Sequence, residues 1–254
     1  LESAIDDETI LVSVMMANNE TGVVQPIKTL TSIAHRHGAL MHTDAVQAAG
    51  KIPIDVDELG IDLLTLSAHK IHGPKGVGAL FVRRGVEIEP LIHGGKQERG
   101  LRAGTENVAG IVGFGKAADL AGHGLGEMKR IESHRDHLES RILELLPGAV
   151  VNGGEAERLP NTTNLSLPNL RGESIVIALD QHGIALSSGS ACKSGSPEPT
   201  HVLLAMGRTA EEAHCSIRLS LSRDTTEEEI DQTCSALKKV LSEMKETVRF
   251  LPCK

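Results

Sequence analysis

Residues 9 to 83 alternate between short apolar runs and a helical pattern, which is typical of an α/β sheet. Strand-like runs lie at residues 9–16, 39–43 and 61–67. Pro26 at a first helical position and Gly38 at a helix end predict a helix over residues 26–37. The pattern predicts parallel strands that deliver polar residues beyond their carboxyl ends, where open α/β sheets bind ligands.

The run Ser67-Ala68-His69-Lys70-Ile71-His72-Gly73-Pro74-Lys75-Gly76 places one lysine, Lys70, just past an apolar strand. In a partly desolvated cleft an amine has a lowered pKa, and the neutral amine can condense with an aldehyde such as pyridoxal phosphate. Ser67 and His69 are then candidates for binding the phosphate of that cofactor. The alternative is an ordinary loop lysine beside a Gly-Pro turn.

Polar residues after two other strands complement Lys70. We expect Asn19, Asp44 and Lys70 to converge at the carboxyl edge of the sheet. The Asp44 carboxylate can keep a pyridinium nitrogen protonated. Gln47 can hydrogen-bond to the phenolic oxygen of the ring, and Asn19 can donate to the same oxygen or to a substrate carboxylate. Taken alone, Asp44 also suits a helix N-cap and Asn19 suits a turn.

Two small-residue segments carry further candidates. Residues 93–107 contain glycines, two arginines and the hydroxyl of Thr105 before an apolar helical run, which suits an anion, although a plain mobile loop fits the spacing as well. In the loop at about 187–199, Lys193 favours the thiolate of Cys192, the nucleophilic form; the alternative is an incidental surface thiol. Arg218 lies in an apolar strand, where two hydrogen bonds to a substrate carboxylate explain it better than the alternative, a solvent-facing residue of an alternating strand.

The pattern changes near residue 125, which predicts two domains, residues 1–124 and a smaller α+β domain, residues 125–254. A long charged helix opens the second domain. His134 and His137 lie on it, and we interpret them as part of a solvated face and predict no metal site. Thr225 and Glu228 have the spacing of a capping box for a final helix.

Composition limits the function classes. The net charge of −8 and pI of about 5.8 argue against nucleic-acid binding, and no run of apolar residues is long enough to span a membrane. Four cysteines lie without a C-x-x-C pair or a disulfide-framework spacing, which fits free thiols in a reducing compartment. The sequence therefore predicts a cytoplasmic protein.

Together these segments resemble the cysteine desulfurases of the nitrogen-fixation and iron–sulfur-cluster type, which are pyridoxal-phosphate enzymes of the aspartate-aminotransferase fold (fold type I, class V aminotransferases). The resemblance covers six ordered blocks: Asn18-Asn19-Glu20-Thr21-Gly22-Val23-Val24-Gln25, His42-Thr43-Asp44-Ala45-Val46-Gln47, Ser67 to Gly76, Gln97-Glu98-Arg99-Gly100-Leu101-Arg102-Ala103-Gly104-Thr105, the Cys192 loop, and Ser216-Ile217-Arg218-Leu219-Ser220.

The resemblance implies a role for each candidate. Lys70 carries the cofactor as a Schiff base and Cys192 receives the sulfur of L-cysteine as a persulfide, leaving L-alanine. The cofactor-binding set is Asn19, Asp44, Gln47, Ser67, His69, Lys70 and Thr105, the last reaching the phosphate of the partner subunit in a homodimer. Asn19 and Arg218 bind the substrate. The sulfur then passes to a scaffold or acceptor protein for iron–sulfur cluster or thio-cofactor assembly.

Two alternatives stay open from the sequence. A selenocysteine lyase on the same fold would turn over selenocysteine with little dependence on Cys192. A catalytically incomplete fragment would act only through protein interaction and would hold no cofactor.

The chain also differs from the family at its N-terminus. Family members carry a longer N-terminal part, with a phosphate-binding turn and a histidine that stacks on the pyridine ring, and neither has a counterpart in these 254 residues. We expect sheet edge and apolar surface to be exposed in the first domain as a result.

The missing stacking group leads to the first prediction. The isolated 254-residue chain should form little or no alanine from L-cysteine, because one face of the cofactor pocket lacks its ring. Quantifying alanine after incubation with L-cysteine checks this, and robust production by the isolated chain would contradict it.

Overall fold

The structure, a computed structural model, describes residues 1–188 and 198–250, with side chains up to residue 244. The chain divides into two compact units. The first unit contains residues 1–17 and 25–125, and the second contains residues 18–24 and 126–254. Residues 18–24, predicted within the first domain, thus group with the second unit. Among the described residues, none of the helices has the length and apolar character needed to cross a membrane.

The first unit is built on a four-stranded sheet with the order β1-β2-β3-β4. Strands β1, β2 and β3 are parallel, and β4 pairs antiparallel with β3. The elements are β1 (Leu11–Met15), α1 (Ile27–Arg36), β2 (Leu40–Asp44), β3 (Leu63–Ser67), β4 (Gly78–Val82) and α2 (Val108–His123). The predicted strands and the helix predicted over residues 26–37 are confirmed.

Helix α1 forms because its apolar positions recur at helical spacing. Ile27, Thr31 and Ala34 are buried on one face. After its end, Gly38 has a φ of +74°, a left-handed conformation that glycine adopts without strain. This stop leads the chain directly into β2.

Strand β4 has no counterpart in the sequence prediction. It begins at Gly78, where a Cβ atom would lie 2.6 Å from the carbonyl oxygen of Leu66 on β3. Only glycine permits this close approach of two backbones, and glycine is also a residue that weakens a strand signal. The close contact therefore requires a residue, Gly78, that weakens the strand pattern, and this is why the sequence did not predict β4.

One face of this sheet carries exposed apolar side chains, as expected. The pairing register aligns Met15, Asp44, Thr65 and Leu80 across the four strands. Met15 is 40% exposed and Leu80 is 48% exposed. In the described residues β1 and β4 are the edge strands.

The second unit contains an antiparallel sheet with the order β5-β6-β8-β7 and helices around it. Its core is aliphatic, and fully buried residues include Ile142, Leu165 and Ile217. The elements are α3 (Met128–Leu145), β5 (Val150–Val151), β6 (Thr162–Ser166), α4 (Gly172–Asp180), β7 (Ser187–Ser188), α5 (His201–Ala205), α6 (Ala210–His214), β8 (Ser216–Ser220) and α7 (Glu227–Phe250).

The capping box predicted for the final helix is wrong by one residue. The Glu229 backbone N–H donates to Thr226 Oγ1 at 3.2 Å, and the Thr226 N–H donates to the Glu229 carboxylate at 2.8 Å. Thr225 Oγ1 instead accepts from the backbone N–H of Ser222 at 3.0 Å. Both threonines have a glutamate three residues later, so the sequence is compatible with a capping box at either one. Thr225 is used in the turn with Ser222, and the capping box therefore forms at Thr226.

The core of the second unit gives a stability prediction. Ile142→Ala should lower the free energy of unfolding by about 2–5 kcal/mol, because it removes a fully buried side chain and leaves a cavity. Leu143→Ala on the same helix, where the side chain is 39% exposed, should change it by less than about 0.5 kcal/mol. Urea unfolding measures both. Equal midpoints for the two variants would show that α3 does not pack through Ile142.

Candidate active site

Candidate residues of the first unit meet at the carboxyl edge of its parallel strands. Asp44 is the last residue of β2, and Ser67 is the last residue of β3. A single 3-10 turn, Ala68–Ile71, follows β3 and carries His69 and Lys70. Because β2 and β3 are parallel neighbours, Asp44 and the Lys70 turn lie at the same sheet edge, as the sequence predicts.

The turn that presents Lys70 is held by buried backbone contacts. Ala68 is fully buried, its N–H donates to the Val77 carbonyl at 3.1 Å, and its carbonyl accepts from the Gly73 N–H at 2.8 Å. A Cβ on Gly73 would lie 2.9 Å from the Ala68 oxygen, so only glycine closes this turn. Lys70 itself is exposed, and the partial desolvation predicted for its amine is not found in this chain.

Asp44 is half-buried and already makes one hydrogen bond. Its Oδ1 accepts from the backbone N–H of Val46 at 2.8 Å. Residues 45–50 form turns and not a helix, so the alternative of a helix N-cap is wrong, although the carboxylate does cap a turn. Its Oδ1 is oriented by this bond, and a carboxylate fixed in this way is suited to a cationic partner.

Ser67 and His69, the predicted phosphate ligands, are hydrogen-bonded to each other. The distance from Ser67 Oγ to His69 Nδ1 is 2.8 Å. This bond fixes the ring direction and leaves Nε2 as the second hydrogen-bonding atom of the imidazole. The pair can therefore present polar groups to one anion.

His42 belongs to the same edge and was not identified from the sequence. It lies two residues before Asp44 on β2, so the two side chains share a face of the sheet, and its Nδ1 lies 2.7 Å from Ser13 Oγ on β1. Burial lowers the pKa of His42 by disfavouring the imidazolium, and the Asp44 carboxylate opposes part of this effect. The sequence did carry a signal for this: in a strand, residues two positions apart share a face, so the run His42-Thr43-Asp44 places His42 on the face of Asp44.

Lys51 is a second residue that sequence reasoning missed. Its Nζ donates to the backbone carbonyl of Gln47 at 2.8 Å, which ties together the turn that follows Asp44. Burial, with a smaller effect from the charge of Lys70, lowers the pKa of Lys51 to about 8. This amine, rather than that of Lys70, is the desolvated lysine of the first unit.

The second unit brings two other predicted residues together. Arg218 Nη1 donates to the backbone carbonyl of Asn19 at 2.8 Å, and Nη2 donates to Ser187 Oγ at 3.2 Å. Arg218 Nε is buried without a hydrogen-bond partner in the described residues. Two of the three guanidinium nitrogens are thus held by hydrogen bonds within the protein, which fix the orientation of the guanidinium plane.

Thr105 takes no part in the hydrogen bonds described above. Thr105 is exposed in the loop before α2, and the side chain that caps α2 is that of Asn107, which accepts from the Gly110 N–H at 3.1 Å. Cys192, the predicted sulfur acceptor, lies outside the described residues.

Comparison with known proteins identifies the family. The chain belongs to the class-V aminotransferases, whose family description matches residues 1–233. The cysteine desulfurase of Gluconacetobacter diazotrophicus is 50% identical over 248 residues, which cover 97% of this chain and 62% of that protein. The chain therefore spans less than two thirds of that relative.

Solved structures give the fold. A NifS-like protein has a TM-score of 0.86 and 43% identity, covering 95% of this chain and 64% of that one. SspA in complex with cysteine has a TM-score of 0.73 and 37% identity, covering 89% of this chain and 62% of that one. The fold is that of the pyridoxal-phosphate-dependent aminotransferases, which confirms the predicted α/β class and the resemblance to cysteine desulfurases.

Lys51 gives a prediction for stability against pH. Between its folded pKa of about 8 and its ordinary value of 10.5, the unfolded chain binds more protons at Lys51 than the folded chain does, so stability rises with pH in this window. Relative to that of Lys51→Met, the free energy of unfolding of the unmodified chain should rise by about 2 kcal/mol between pH 7 and pH 10.

Denaturant unfolding at a series of pH values measures this difference. Lys75→Met is the matched control, because Lys75 is exposed. The difference in free energy of unfolding between this variant and the unmodified chain should not change with pH over the same range. A flat curve for Lys51→Met as well would show that Lys51 is not desolvated in the folded chain.

Proposed function

We propose that this chain supplies the Schiff-base lysine and the sulfur-accepting cysteine of a pyridoxal-phosphate-dependent cysteine desulfurase. The observation that carries the proposal is the placement of Asp44, the Ser67 and His69 pair, and Lys70 at one carboxyl edge. The identity of 50% to a cysteine desulfurase over 97% of the chain supports the same reaction.

The residues at this edge fit the cofactor that the family uses. Asp44 offers a half-buried carboxylate for the pyridine nitrogen, the Ser67 and His69 pair offers polar groups for the phosphate, and the exposed Lys70 amine is accessible to the aldehyde carbon. Gln47 and Asn19 are proposed for the phenolic oxygen, and Thr105 for the phosphate site of a partner subunit. When bound, pyridoxal phosphate supplies an electron sink for negative charge at the substrate α-carbon.

Arg218 is the proposed anchor for the substrate carboxylate. Its guanidinium is oriented by Asn19 and Ser187, and its buried Nε has a donor without a partner in the described residues. An uncompensated buried donor is costly, and a carboxylate is the acceptor that matches a guanidinium fork. The solved SspA is described in complex with cysteine, which supports L-cysteine as the substrate.

Lys70 and Cys192 divide the chemistry between them. The Lys70 amine removes the proton at the α-carbon and returns it during alanine formation. The Cys192 thiolate attacks the substrate sulfur: a sulfur–sulfur bond forms, and the bond from sulfur to the β-carbon breaks with its electron pair passing to carbon. Protonation of that carbon leaves L-alanine, and Cys192 holds the persulfide.

The wider setting is proposed from the family. A scaffold or acceptor protein takes the persulfide sulfur for iron–sulfur cluster or thio-cofactor assembly, the protein acts as a homodimer, and it works in the cytoplasm. The name of the relative from Gluconacetobacter favours cysteine over selenocysteine as the substrate.

The proposal predicts which side chains the cofactor and the sulfur require. After borohydride reduction, the purified chain with pyridoxal phosphate should gain the mass of the cofactor on Lys70 and show its visible band. Lys70→Ala should lose both, because no other amine lies at that turn position. Lys75→Ala, in the same segment and exposed, should keep both.

Cys192→Ser tests the second half of the reaction. In a protein that joins these 254 residues to the N-terminal part of the family, this variant should keep the visible band and lose the persulfide, since the cofactor does not need the thiol. Mass spectrometry of the peptide that contains residue 192 checks the persulfide. A cofactor band that survives in Lys70→Ala would contradict the assignment of the lysine.

A further inference from the structure

A short segment of the second unit, Asn18–Val24, is held by buried polar groups. Asn18 Oδ1 accepts from the backbone N–H groups of Glu20 and Thr21 at 2.8 and 3.0 Å. The fully buried Asn164 donates through Nδ2 to the Glu20 carbonyl at 3.2 Å. The Asn164 bond is buried and the two Asn18 bonds are partly buried, so water competes little for them and they hold the conformation of the segment.

The Glu20 carboxylate has one partner that stands out. Glu20 is 5% exposed and accepts a short hydrogen bond from the hydroxyl of Thr200, which is 4% exposed. The same hydroxyl accepts from the Val202 N–H at 3.2 Å, so its direction is set from both sides. A buried carboxylate requires a donor, and Thr200 supplies it.

Ser187 makes the corresponding connection on the other side of Cys192. Ser187 pairs with Arg218 across β7 and β8, and its Oγ accepts from Arg218 Nη2 at 3.2 Å. Arg218 Nη1 in turn donates to the carbonyl of Asn19. Ser187 and Thr200 lie on either side of Cys192 in the sequence. Both are therefore connected to adjacent residues, Asn19 and Glu20, of one short segment.

We infer that Glu20 is a positioning residue: through Thr200 it fixes the point where the chain leaves the Cys192 segment relative to the Asn19 and Arg218 pair. The inference rests on the proposed function, in which Cys192 attacks a substrate held by Arg218. Loss of the Thr200 hydroxyl leaves the contacts of Arg218 in place. It should therefore slow sulfur transfer more than it weakens cysteine binding.

The test compares threonine variants in a protein that joins these 254 residues to the N-terminal part of the family, loaded with pyridoxal phosphate, because the isolated chain is expected to form little alanine. Thr200→Val, which removes the hydroxyl at nearly equal volume, should lower kcat for alanine formation about tenfold and leave KM within about twofold. Thr200→Ser restores the hydroxyl and should restore kcat. Ser187→Ala should instead raise KM, because it releases one side of the Arg218 guanidinium.

Thr209→Val is the matched control for stability. Thr209 also donates to a glutamate, Glu212, at 3.0 Å and caps a helix of the same unit, but it is exposed. Its loss should lower the unfolding midpoint without lowering kcat. An equal loss of kcat in Thr209→Val would overturn the inference, because the effect would then follow from general destabilisation.

Hydrogen exchange gives a readout that does not depend on activity. Amides of residues 200–206 should exchange at least about fivefold faster in Glu20→Ala than in Glu20→Gln, because both variants keep the bond from the Val202 N–H to Thr200 and only the glutamine keeps an acceptor for the Thr200 hydroxyl. Equal exchange in the two variants overturns the inference. If the protein that includes the N-terminal part of the family forms no alanine and no persulfide, the proposed function fails, and the exchange comparison still decides whether Glu20 tethers Thr200.

Discussion

The parallel register of β1, β2 and β3 is the constraint on which the first unit depends. Parallel strands end at the same edge, so residues 26 positions apart, Asp44 and Lys70, are brought to one side of one sheet by backbone pairing alone. The proposed site would need this because a cofactor held between a carboxylate and an amine requires both on a rigid support. Ala68 and Gly73 then close the turn that presents the lysine.

The second unit uses a different principle. Its aliphatic core carries stability, while a buried set of polar side chains holds Asn18–Val24 and thereby the carbonyl that orients Arg218. Glu20, Asn164 and Thr200 are each almost fully buried, which is costly unless every group is paired. Such pairing defines geometry more narrowly than apolar packing does, and it lies next to residues proposed to hold the substrate.

Local pattern was sufficient for most of the secondary structure. The α1 helix, the parallel strands and the final helix follow from periodicity and from Pro26 and Gly38, because these signals act within a few residues. Strand β4 was missed, since the glycine that its close packing requires is also a turn signal. The capping register was missed because Thr225 and Thr226 satisfy the same spacing, and only the turn at Ser222 distinguishes them.

For the site, the candidate reactive groups could be proposed from residue type and spacing: Lys70 after a strand, Asp44 at the end of another, and the thiol of Cys192 among small residues. These follow from residue type and local spacing, which the chain carries in every conformation. The burial of the Lys51 amine and the contact between Glu20 and Thr200, 180 positions away, became visible only in the folded chain. Burial and long-range hydrogen bonds depend on which segments pack together, and a carboxylate or an amine in the sequence has no such neighbours until the chain has folded.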